Sequence, residues 1–234
     1  MRVRHYARLD RDRGRRVGVP EVILGEGKSV EHLIGIVRAL ADRGLGALIS
    51  RPTRAQIRAL RAWHTPAGGR SRLRFLAESR LVRLSGPLGP HYRRGVVAIL
   101  TAGTSDVPLA EEARAVLREL GIEVVRAYDV GVAGLHRLLS VVGRLEGSRP
   151  EMYLVFAGRE GALPTVVAGL VRAPVVGIPT STGYGRGGRG EAALNAMLQS
   201  CAPLAVVNID AAVPAALFAA QRFAERPSDR PRRR

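Results

Sequence analysis

The chain has 234 residues, enough for one sizeable hydrophobic core plus an extension, and 46% of them are hydrophobic, which excludes a largely disordered protein. Thirty-seven basic and 20 acidic residues give a formal net charge of +17, and Lys28 is the only lysine among the basic residues. With four Phe, five Tyr and one Trp, the core must be built mainly from small aliphatic side chains.

The first predicted elements lie in a basic N-terminal region, since residues 1–95 hold 21 basic and 7 acidic side chains. Candidate strands at Pro20–Leu24 and Gly46–Ser50 flank a helix over Ser29–Asp42, in which apolar residues recur at helical spacing. This pattern predicts a small βαβ-like unit. A polar stretch rich in Arg and Gly, Thr65–Arg74, then separates this unit from the rest of the chain.

From Gly95 onward, short β-branched runs alternate with stretches of helix length, at spacings of about 25 to 30 residues that suit a βα unit. Because these runs are apolar at consecutive positions, both faces of the sheet should be covered, which predicts a three-layer, doubly wound parallel sheet. The predicted strands are Val96–Leu100, Glu123–Ala127, Met152–Ala157, Val175–Ile178 and Leu204–Ile209. The predicted helices are Leu109–Leu120, Leu135–Leu145, Leu163–Val171, Ala192–Ser200 and Val213–Phe223.

Charge divides the chain in the same way. Residues 96–220 hold 10 basic and 11 acidic side chains, whereas residues 221–234 hold 6 and 2, so the positive charge surrounds a balanced core. Nucleic acid is an alternative partner for the basic parts, but no aromatic-rich stacking motif or zinc spacing supports it, so none is expected. We predict a basic N-terminal α/β region over 1–92, a main α/β domain over 93–225 and a basic tail over 226–234.

The single cysteine, Cys201, excludes an internal disulfide, in keeping with a reducing compartment. Residues 1–16 carry seven arginines but no apolar segment of the kind found in a signal peptide. The most apolar stretch, Ala202–Ala220, is interrupted by Asn208, Asp210 and Pro214. The sequence therefore predicts a soluble cytoplasmic protein without a membrane partner.

Ligands of doubly wound sheets bind beyond the carboxyl ends of the strands, so the loops there are the first candidates for a site. After the first strand, Gly103, Thr104, Ser105 and Asp106 offer backbone N–H groups and hydroxyls to a phosphate, or form an ordinary helix cap. After the second strand come Asp129 and Gly131, followed by His136. Here the carboxylate and imidazole belong either to a cleft or to a solvated helix start.

The next two loops repeat this composition. Glu160 lies between Gly158 and Gly161, as a reacting carboxylate or as a first-turn acid that complements the helix dipole. The loop after the fourth strand, residues 179–190, combines hydroxyls, five glycines and two arginines, which suits an anionic ligand of nucleotide size or a mobile surface loop. Its candidate binding residues are Thr180, Ser181, Gly183, Tyr184 and Gly185.

Two further residues complete the candidates. Cys201, at the end of the following helix, is a nucleophile if it lies in a partly exposed, electropositive cleft and otherwise an inert core residue. Asp210 closes the fifth strand and should face the same crevice as the loops.

Six runs in one order connect these loops to a known family: AGTSDVPLAEEA (102–113), DVGVAGLHRLL (129–139), AGREGALPTVVAGLV (157–171), PVVGIPTSTGYG (174–185), MLQSCA (197–202) and VVNID (206–210). They resemble the LarB family of pyridinium-3,5-biscarboxylic acid mononucleotide synthases, which begin nickel-pincer nucleotide biosynthesis. The N-terminal run RGRRVGVPEVILGEGKS (13–29) matches as well. The core is also similar to the aminoimidazole ribonucleotide carboxylases and mutases of purine synthesis, which lack the Cys201 motif and the long N-terminal region.

The sequence departs from the LarB pattern in three places. Arg159 stands where that family usually has Met, and Gln199 replaces an Asn. Residues 211–214 read Ala-Ala-Val-Pro in place of an Asn- and Gly-rich run, which leaves the role of that turn open.

The resemblance implies a flavodoxin-like core and a carboxylase/hydrolase that converts nicotinic acid adenine dinucleotide and CO2 or bicarbonate into the dicarboxylated pyridinium mononucleotide and AMP. It also implies a homo-oligomer, because the related purine enzymes form octamers with shared active sites. No tightly bound organic cofactor is expected. Mg²⁺ is expected on the substrate pyrophosphate, with Asp106 or Asp129 nearby.

The resemblance also implies roles for the candidate residues. Addition of the Cys201 thiolate to the pyridinium ring makes C5 nucleophilic toward CO2. Glu160 is the first candidate for the base that then removes the C5 proton, with His136 or Asp106 as alternatives. Thr104, Ser105 and the loop of residues 181–190 are expected to hold phosphates.

Overall fold

The computed structural model describes residues 2–3, 6–10, 12–64 and 73–225. The chain divides into two compact units, Met1–His91 with Ala224–Arg234, and Tyr92–Phe223. The predicted tail, residues 226–234, and most of the predicted separator lie outside the described residues. Within the described part of the chain, no helix is both long and apolar enough to cross a membrane.

The first unit is built on a four-stranded mixed sheet in the order β3-β4-β6-β5. Strands β3 and β4 are parallel, whereas β6 pairs antiparallel with β4 and with β5. The elements are β1 (Arg2–Val3), β2 (Ala7–Arg8), α1 (Arg13–Val17), β3 (Val22–Leu24), α2 (Val30–Ala41), β4 (Ala47–Ser50), α3 (Arg54–His64), β5 (Leu73–Leu76) and β6 (Leu81–Leu84).

The predicted βαβ unit is confirmed as β3, α2 and β4. Helix α2 begins after Ser29, whose hydroxyl accepts a hydrogen bond from the His32 N–H, and its Leu33 and Val37 are completely buried. The sequence analysis did not predict the remaining elements of this unit. Helix α3 and the antiparallel pair β5 and β6 add a second helix and a second half to the sheet, and β5 begins inside the stretch predicted to be a separator.

The second unit is a five-stranded parallel sheet in the order β11-β10-β9-β7-β8. Counted within the unit, this order is 2-1-3-4-5, that of flavodoxin-like folds. The strands are β7 (Val96–Thr101), β8 (Glu123–Ala127), β9 (Met152–Ala157), β10 (Val175–Pro179) and β11 (Leu204–Val206). The helices are α4 (Val107–Glu119), α5 (Leu135–Gly147), α6 (Leu163–Ala168), α7 (Glu191–Leu198) and α8 (Ala212–Gln221).

Helices cover both faces of this sheet, as the consecutive apolar runs predicted. All residues of β9 and β10 are buried, and β7 is buried from its second residue onward. Side chains of α5, α6 and α7 pack over one face, around Leu100, Tyr153 and Val155. Helices α4 and α8 pack against each other, with α8 against β9 and β10. The three-layer, doubly wound prediction is therefore confirmed.

The edge strand β11 is shorter than predicted, since it ends at Val206 and not at Ile209. The backbone turns after it because the Asp210 N–H bonds to the Pro179 carbonyl and the Ala211 N–H to the Asn208 carbonyl. Asp210 has a positive φ of 57°, which an extended strand does not allow. Helix α6 is likewise shorter than predicted, ending at Ala168.

The strand order places a topological switch point between β7 and β9. The chain leaves β7 toward β8 on one side and leaves β9 toward β10 on the other, so the loops that follow these two strands separate and open a crevice. Asp106 follows β7 and Glu160 follows β9. The fold therefore places two of the predicted site residues beside the position where ligands of doubly wound sheets bind.

Candidate active site

Asp106 is the most deeply buried of the predicted catalytic residues, with 3% of its surface exposed. One carboxyl oxygen, Oδ2, accepts a hydrogen bond from the Gly103 N–H at 2.9 Å. The other, Oδ1, accepts from the hydroxyls of Thr180 at 2.7 Å and Thr182 at 2.9 Å. Oδ2 therefore closes the loop after β7 on itself, and Oδ1 joins that loop to the loop after β10.

The loop after β9 fits closely against this junction. A Cβ atom added to Gly158 would lie 2.3 Å from the Thr182 carbonyl oxygen and 2.8 Å from the Thr180 hydroxyl, so only glycine fits there. The next residue, Arg159, donates its N–H to the same Thr182 carbonyl at 3.3 Å. Three loops that are far apart in sequence thus meet at the carboxyl edge of the sheet.

The loop after β8 is attached to the end of β7. The Asp129 N–H donates to the Thr101 hydroxyl at 3.1 Å, and a Cβ on Gly131 would lie 2.6 Å from the Ala102 carbonyl oxygen. The Asp129 carboxylate forms an ion pair with Arg137 at 2.5 Å, where both side chains are partly exposed. His136 is exposed in the first turn of α5. The structure therefore places Asp129 beside the end of β7 and His136 at the exposed start of α5.

Glu160 occupies the tip of a tight turn. The Gly161 N–H bonds to the Gly158 carbonyl at 2.9 Å, and Glu160 itself is exposed. Gly161 has a positive φ of 64°, and a Cβ there would lie 2.6 Å from the Ala193 carbonyl oxygen, so the turn requires glycine. An exposed carboxylate on a fixed turn is accessible to a ligand in the crevice.

The loop after β10 is held at a second point by the residue that follows β11. Asp210 Oδ1 accepts a hydrogen bond from the Ser181 N–H at 2.8 Å. Beyond Ser181, residues 183–186 are exposed, as are Thr104 and Ser105 across the crevice. Thr104, Ser105, Ser181 and residues 183–185 of the predicted binding set therefore face solvent. Thr180, by contrast, is buried and bonded to Asp106 at the base of its loop, which Asp210 anchors at a second point.

Cys201 is placed differently from the other candidates. It is exposed in the turn between α7 and β11, where β11 begins, whereas the loops described above follow the ends of their strands. Its neighbour Ser200 accepts a hydrogen bond from the Thr165 hydroxyl at 2.9 Å. Among the described residues, no hydrogen bond or ion pair joins Cys201 to the crevice loops of its own chain.

The predicted magnesium neighbours do not form a metal site of their own. Within the described ranges, no three His, Cys, Asp or Glu side chains come together as ligands. Both Asp106 oxygens are used in hydrogen bonds within the protein, and Asp129 is paired with Arg137. These carboxylates do not fit a protein-held Mg²⁺, so no catalytic step is assigned to a metal, and magnesium on the substrate stays a prediction.

The structure adds a cluster around Glu111 that the sequence did not reveal. The Tyr128 hydroxyl donates to Glu111 Oε1 at 2.6 Å, Arg114 donates to Oε2 at 2.8 Å, and Arg126 donates to Oε1 at 3.0 Å. Burial alone would raise the pKa of Glu111, but these hydrogen bonds and charges lower it below its ordinary value of 4.5. The cluster attaches the end of β8 to α4 beside Asp129.

This cluster predicts acid-sensitive stability. Because the pKa of Glu111 is lowered in the folded protein, its stabilising effect is present above the ordinary value of 4.5 and is lost as the pH falls through the lower, folded value. We expect Glu111→Gln to lower the free energy of unfolding by about 1–3 kcal/mol near pH 7, by weakening the bonds from Tyr128 and Arg114. Urea unfolding from about pH 6 to about pH 3 should then show a shallower loss of stability than in the parent protein.

The control is Glu123→Gln, at an exposed glutamate. If the free energy of unfolding falls with pH equally steeply in Glu111→Gln and in the parent, the stabilising role of Glu111 is wrong.

Fold and site together define an α/β protein whose hydroxyl- and glycine-rich loops form a crevice at the switch point of a parallel sheet. Residues 96–230 match the family model described as AIR carboxylase, and residues 2–82 match the LarB/PurE-like N-terminal domain. The chain belongs to the AIR carboxylase family, a family of carboxylation-type enzymes, and carries the LarB/PurE-like N-terminal domain.

The chain is also similar to individual proteins. A Methanocaldococcus jannaschii chain named "Uncharacterized protein MJ0165" is 38% identical over 215 residues, which cover 91% of this chain and 82% of that one. The N5-carboxyaminoimidazole ribonucleotide mutase of the same organism is 31% identical over 130 residues, 53% of this chain and 76% of that one. A crystal structure of a Treponema denticola PurE2 variant aligns with a TM-score of 0.47 at 29% identity, covering 56% of this chain and 80% of that one.

Proposed function

We propose that this protein carboxylates the pyridinium ring of nicotinic acid adenine dinucleotide and hydrolyses its phosphoanhydride, releasing AMP and the 3,5-dicarboxylated mononucleotide. The observation that carries the proposal is the match of residues 2–82 to the LarB/PurE-like N-terminal domain. The matched segment of the purine mutase covers only 53% of this chain, whereas a relative that matches 91% extends through the N-terminal unit.

The crevice suits a dinucleotide substrate. The exposed hydroxyls of Thr104, Ser105 and Ser181, and the backbone N–H groups of residues 183–185, can bind phosphate oxygens on both sides of the switch point. The anchored bases of these loops, at Asp106 and Asp210, hold those donors in place before a ligand arrives. Such preorganisation lowers the entropic cost of binding.

The proposed reaction begins with nucleophilic addition. The Cys201 sulfur forms a bond to the pyridinium ring, and the ring nitrogen takes up the displaced electron pair, leaving a neutral, enamine-like ring. C5 of that ring attacks CO2, which becomes a carboxylate. A base then removes the C5 proton, and the thiolate leaves with its bonding electrons as the aromatic ring is restored.

Among the three candidate bases, Glu160 is the one that the geometry favours. Its carboxylate is exposed on a fixed turn beside the crevice, whereas both oxygens of Asp106 already accept hydrogen bonds within the protein. His136 is exposed in the first turn of α5 and stays the alternative. Hydrolysis of the anhydride separately requires water to attack phosphorus, with AMP as one of its two products.

The test is a direct comparison of two substrates. The protein is incubated with nicotinic acid adenine dinucleotide, bicarbonate and Mg²⁺, and in parallel with aminoimidazole ribonucleotide and bicarbonate, and the products are identified by mass spectrometry. We expect AMP and the dicarboxylated mononucleotide from the first mixture only. Turnover in the second mixture alone would replace the proposal with the purine carboxylase or mutase activity, which the 31% identity to a mutase favours as second candidate.

A further inference from the structure

Tyr184 is exposed to an unusual degree for an aromatic residue in a candidate ligand-binding loop. Its side chain and backbone together are 80% exposed, although it lies between Ser181, which is anchored by Asp210, and α7. Tyrosine is enriched at binding surfaces, because its ring offers a large contact area at little cost in side-chain entropy. The exposed ring of Tyr184 is therefore available to contact a ligand.

One face of the ring already has a partner within the chain. The guanidinium carbon of Arg159 lies 4.5 Å from the centroid of the Tyr184 ring, in cation–π geometry. The backbone of Arg159 is fixed, because its N–H bonds to the carbonyl of Thr182, whose hydroxyl in turn bonds to Asp106. Arg159 has a positive φ of 47°, a conformation that this anchoring maintains.

The surroundings leave the remainder of the ring open. Gly183 and Gly185, on either side of Tyr184, both have positive φ, and a Cβ on Gly185 would meet no atom within 4 Å. A planar group can therefore approach the ring without meeting neighbouring side chains. Arg159 also determines which planar group is favoured, since a second cation on the open face would be repelled by the guanidinium whereas a neutral heteroaromatic ring would not.

We propose that the open face of Tyr184 binds the adenine base of an adenylate, with Arg159 as a positioning residue that holds the phenol ring from behind. This inference rests on the proposed function, in which the substrate carries an adenylate and a pyridinium. The pyridinium ring is cationic and adenine is neutral, so the charge of Arg159 assigns the adenylate half to Tyr184. The reacting ring then occupies another part of the site.

The test compares two ligands that differ only in the base. Isothermal titration calorimetry measures the Kd of AMP and of ribose 5-phosphate for the parent protein and for Tyr184→Phe, Tyr184→Ala and Arg159→Lys. We expect Tyr184→Ala to weaken AMP binding about 10-fold or more, the usual effect of losing one base–aromatic stack, with little change for ribose 5-phosphate. Tyr184→Phe should keep AMP affinity within about 2-fold, and Arg159→Lys should weaken AMP more than ribose 5-phosphate. Phe218→Ala, at an exposed aromatic residue on α8, is the matched control and should change neither Kd.

Each contrary result overturns the inference. If Tyr184→Ala weakens both ligands equally, or neither, or if the parent protein does not prefer AMP over ribose 5-phosphate, Tyr184 does not bind the base. The result is separable from the proposed function. Tyr184-dependent AMP binding without dicarboxylated product would preserve the inference and remove the reaction, whereas product formation with unchanged KM in Tyr184→Ala would do the reverse.

Discussion

Asp106→Asn is expected to lower the free energy of unfolding by about 3 kcal/mol and kcat/KM for carboxylation by about 100-fold. The asparagine amide nitrogen cannot accept a hydrogen bond, so either the Gly103 N–H or the Thr180 and Thr182 hydroxyls lose their acceptor in a site that is only 3% exposed. The loops after β7 and β10 would then lose their common anchor. Urea unfolding and initial rates of product formation measure the two effects.

Asp129→Asn is the matched control, because it makes the same chemical change in an aspartate of the same site whose side chain is 49% exposed. Its ion pair with Arg137 is at the surface, so its loss should cost less than about 1 kcal/mol. If Asp106→Asn proves no more destabilising than Asp129→Asn, the anchoring role of Asp106 is wrong.

Cys201→Ala is expected to abolish the reaction, lowering the rate of product formation by about 10³-fold or more, because no other described residue supplies a thiolate for the addition step. Since Cys201 is exposed, the substitution should leave the melting temperature nearly unchanged. Rates are measured with nicotinic acid adenine dinucleotide, and thermal unfolding is measured on the same preparations.

Cys201→Ser keeps the size of the side chain but replaces the thiol with a far weaker nucleophile and leaving group, so it should be as inactive as Cys201→Ala. Full activity in Cys201→Ser would remove the covalent mechanism while leaving the reaction class intact. A large fall in melting temperature in either variant would instead indicate a structural role.

The position of Cys201 suggests a second experiment, in which subunits are mixed. Cys201 precedes β11, whereas Glu160 follows β9. Among the described residues of one chain, no hydrogen bond joins Cys201 to Glu160. If the protein forms the expected homo-oligomer, one site can use Cys201 of one subunit and Glu160 of another. Mixing Cys201→Ala with Glu160→Gln subunits should then restore part of the activity, because some sites combine an intact Cys201 with an intact Glu160. No recovery after subunit exchange would assign both residues to one chain.

The second unit could be predicted from its sequence because its signals are local. Consecutive apolar residues at Val96–Leu100 and Met152–Ala157 define strands that are buried on both faces, and their spacing leaves room for one helix each. The residues at which strands and helices end were predicted less accurately. Strand β11 ends at Val206 because of backbone bonds made by Asp210, which depend on the neighbouring strand.

Helix α3 was missed because its apolar stripe is narrow, with Leu60 as its completely buried aliphatic residue and Gln56 buried beside it. A signal was present all the same. Thr53 and Gln56 form a reciprocal capping box, with the Gln56 N–H bonded to the Thr53 hydroxyl and the Thr53 N–H bonded to the Gln56 side chain. Gln56 also donates to the carbonyls of Gly25 and Lys28, which no local pattern predicts.

The site shows the same division between local and long-range information. Composition alone selected the loops that contain Asp106, Glu160 and Thr180, because parallel strands bring their carboxyl ends to one edge. That Asp106 is buried and bonded to Thr180, 74 residues away, depends on the strand order 2-1-3-4-5, which composition and periodicity alone do not reveal. The same applies to the Glu111 cluster and to the stacking of Arg159 on Tyr184.

The proposed activity is the addition of a carboxyl group to a pyridinium nucleotide. The most direct measurement is mass spectrometry of the product formed from nicotinic acid adenine dinucleotide and carbon-13-labelled bicarbonate. We expect a mononucleotide with two ring carboxylates, one of them labelled, together with an equal amount of unlabelled AMP. A mononucleotide without the label, or label found only in a carboxylated aminoimidazole ribonucleotide when that substrate is supplied, would contradict it.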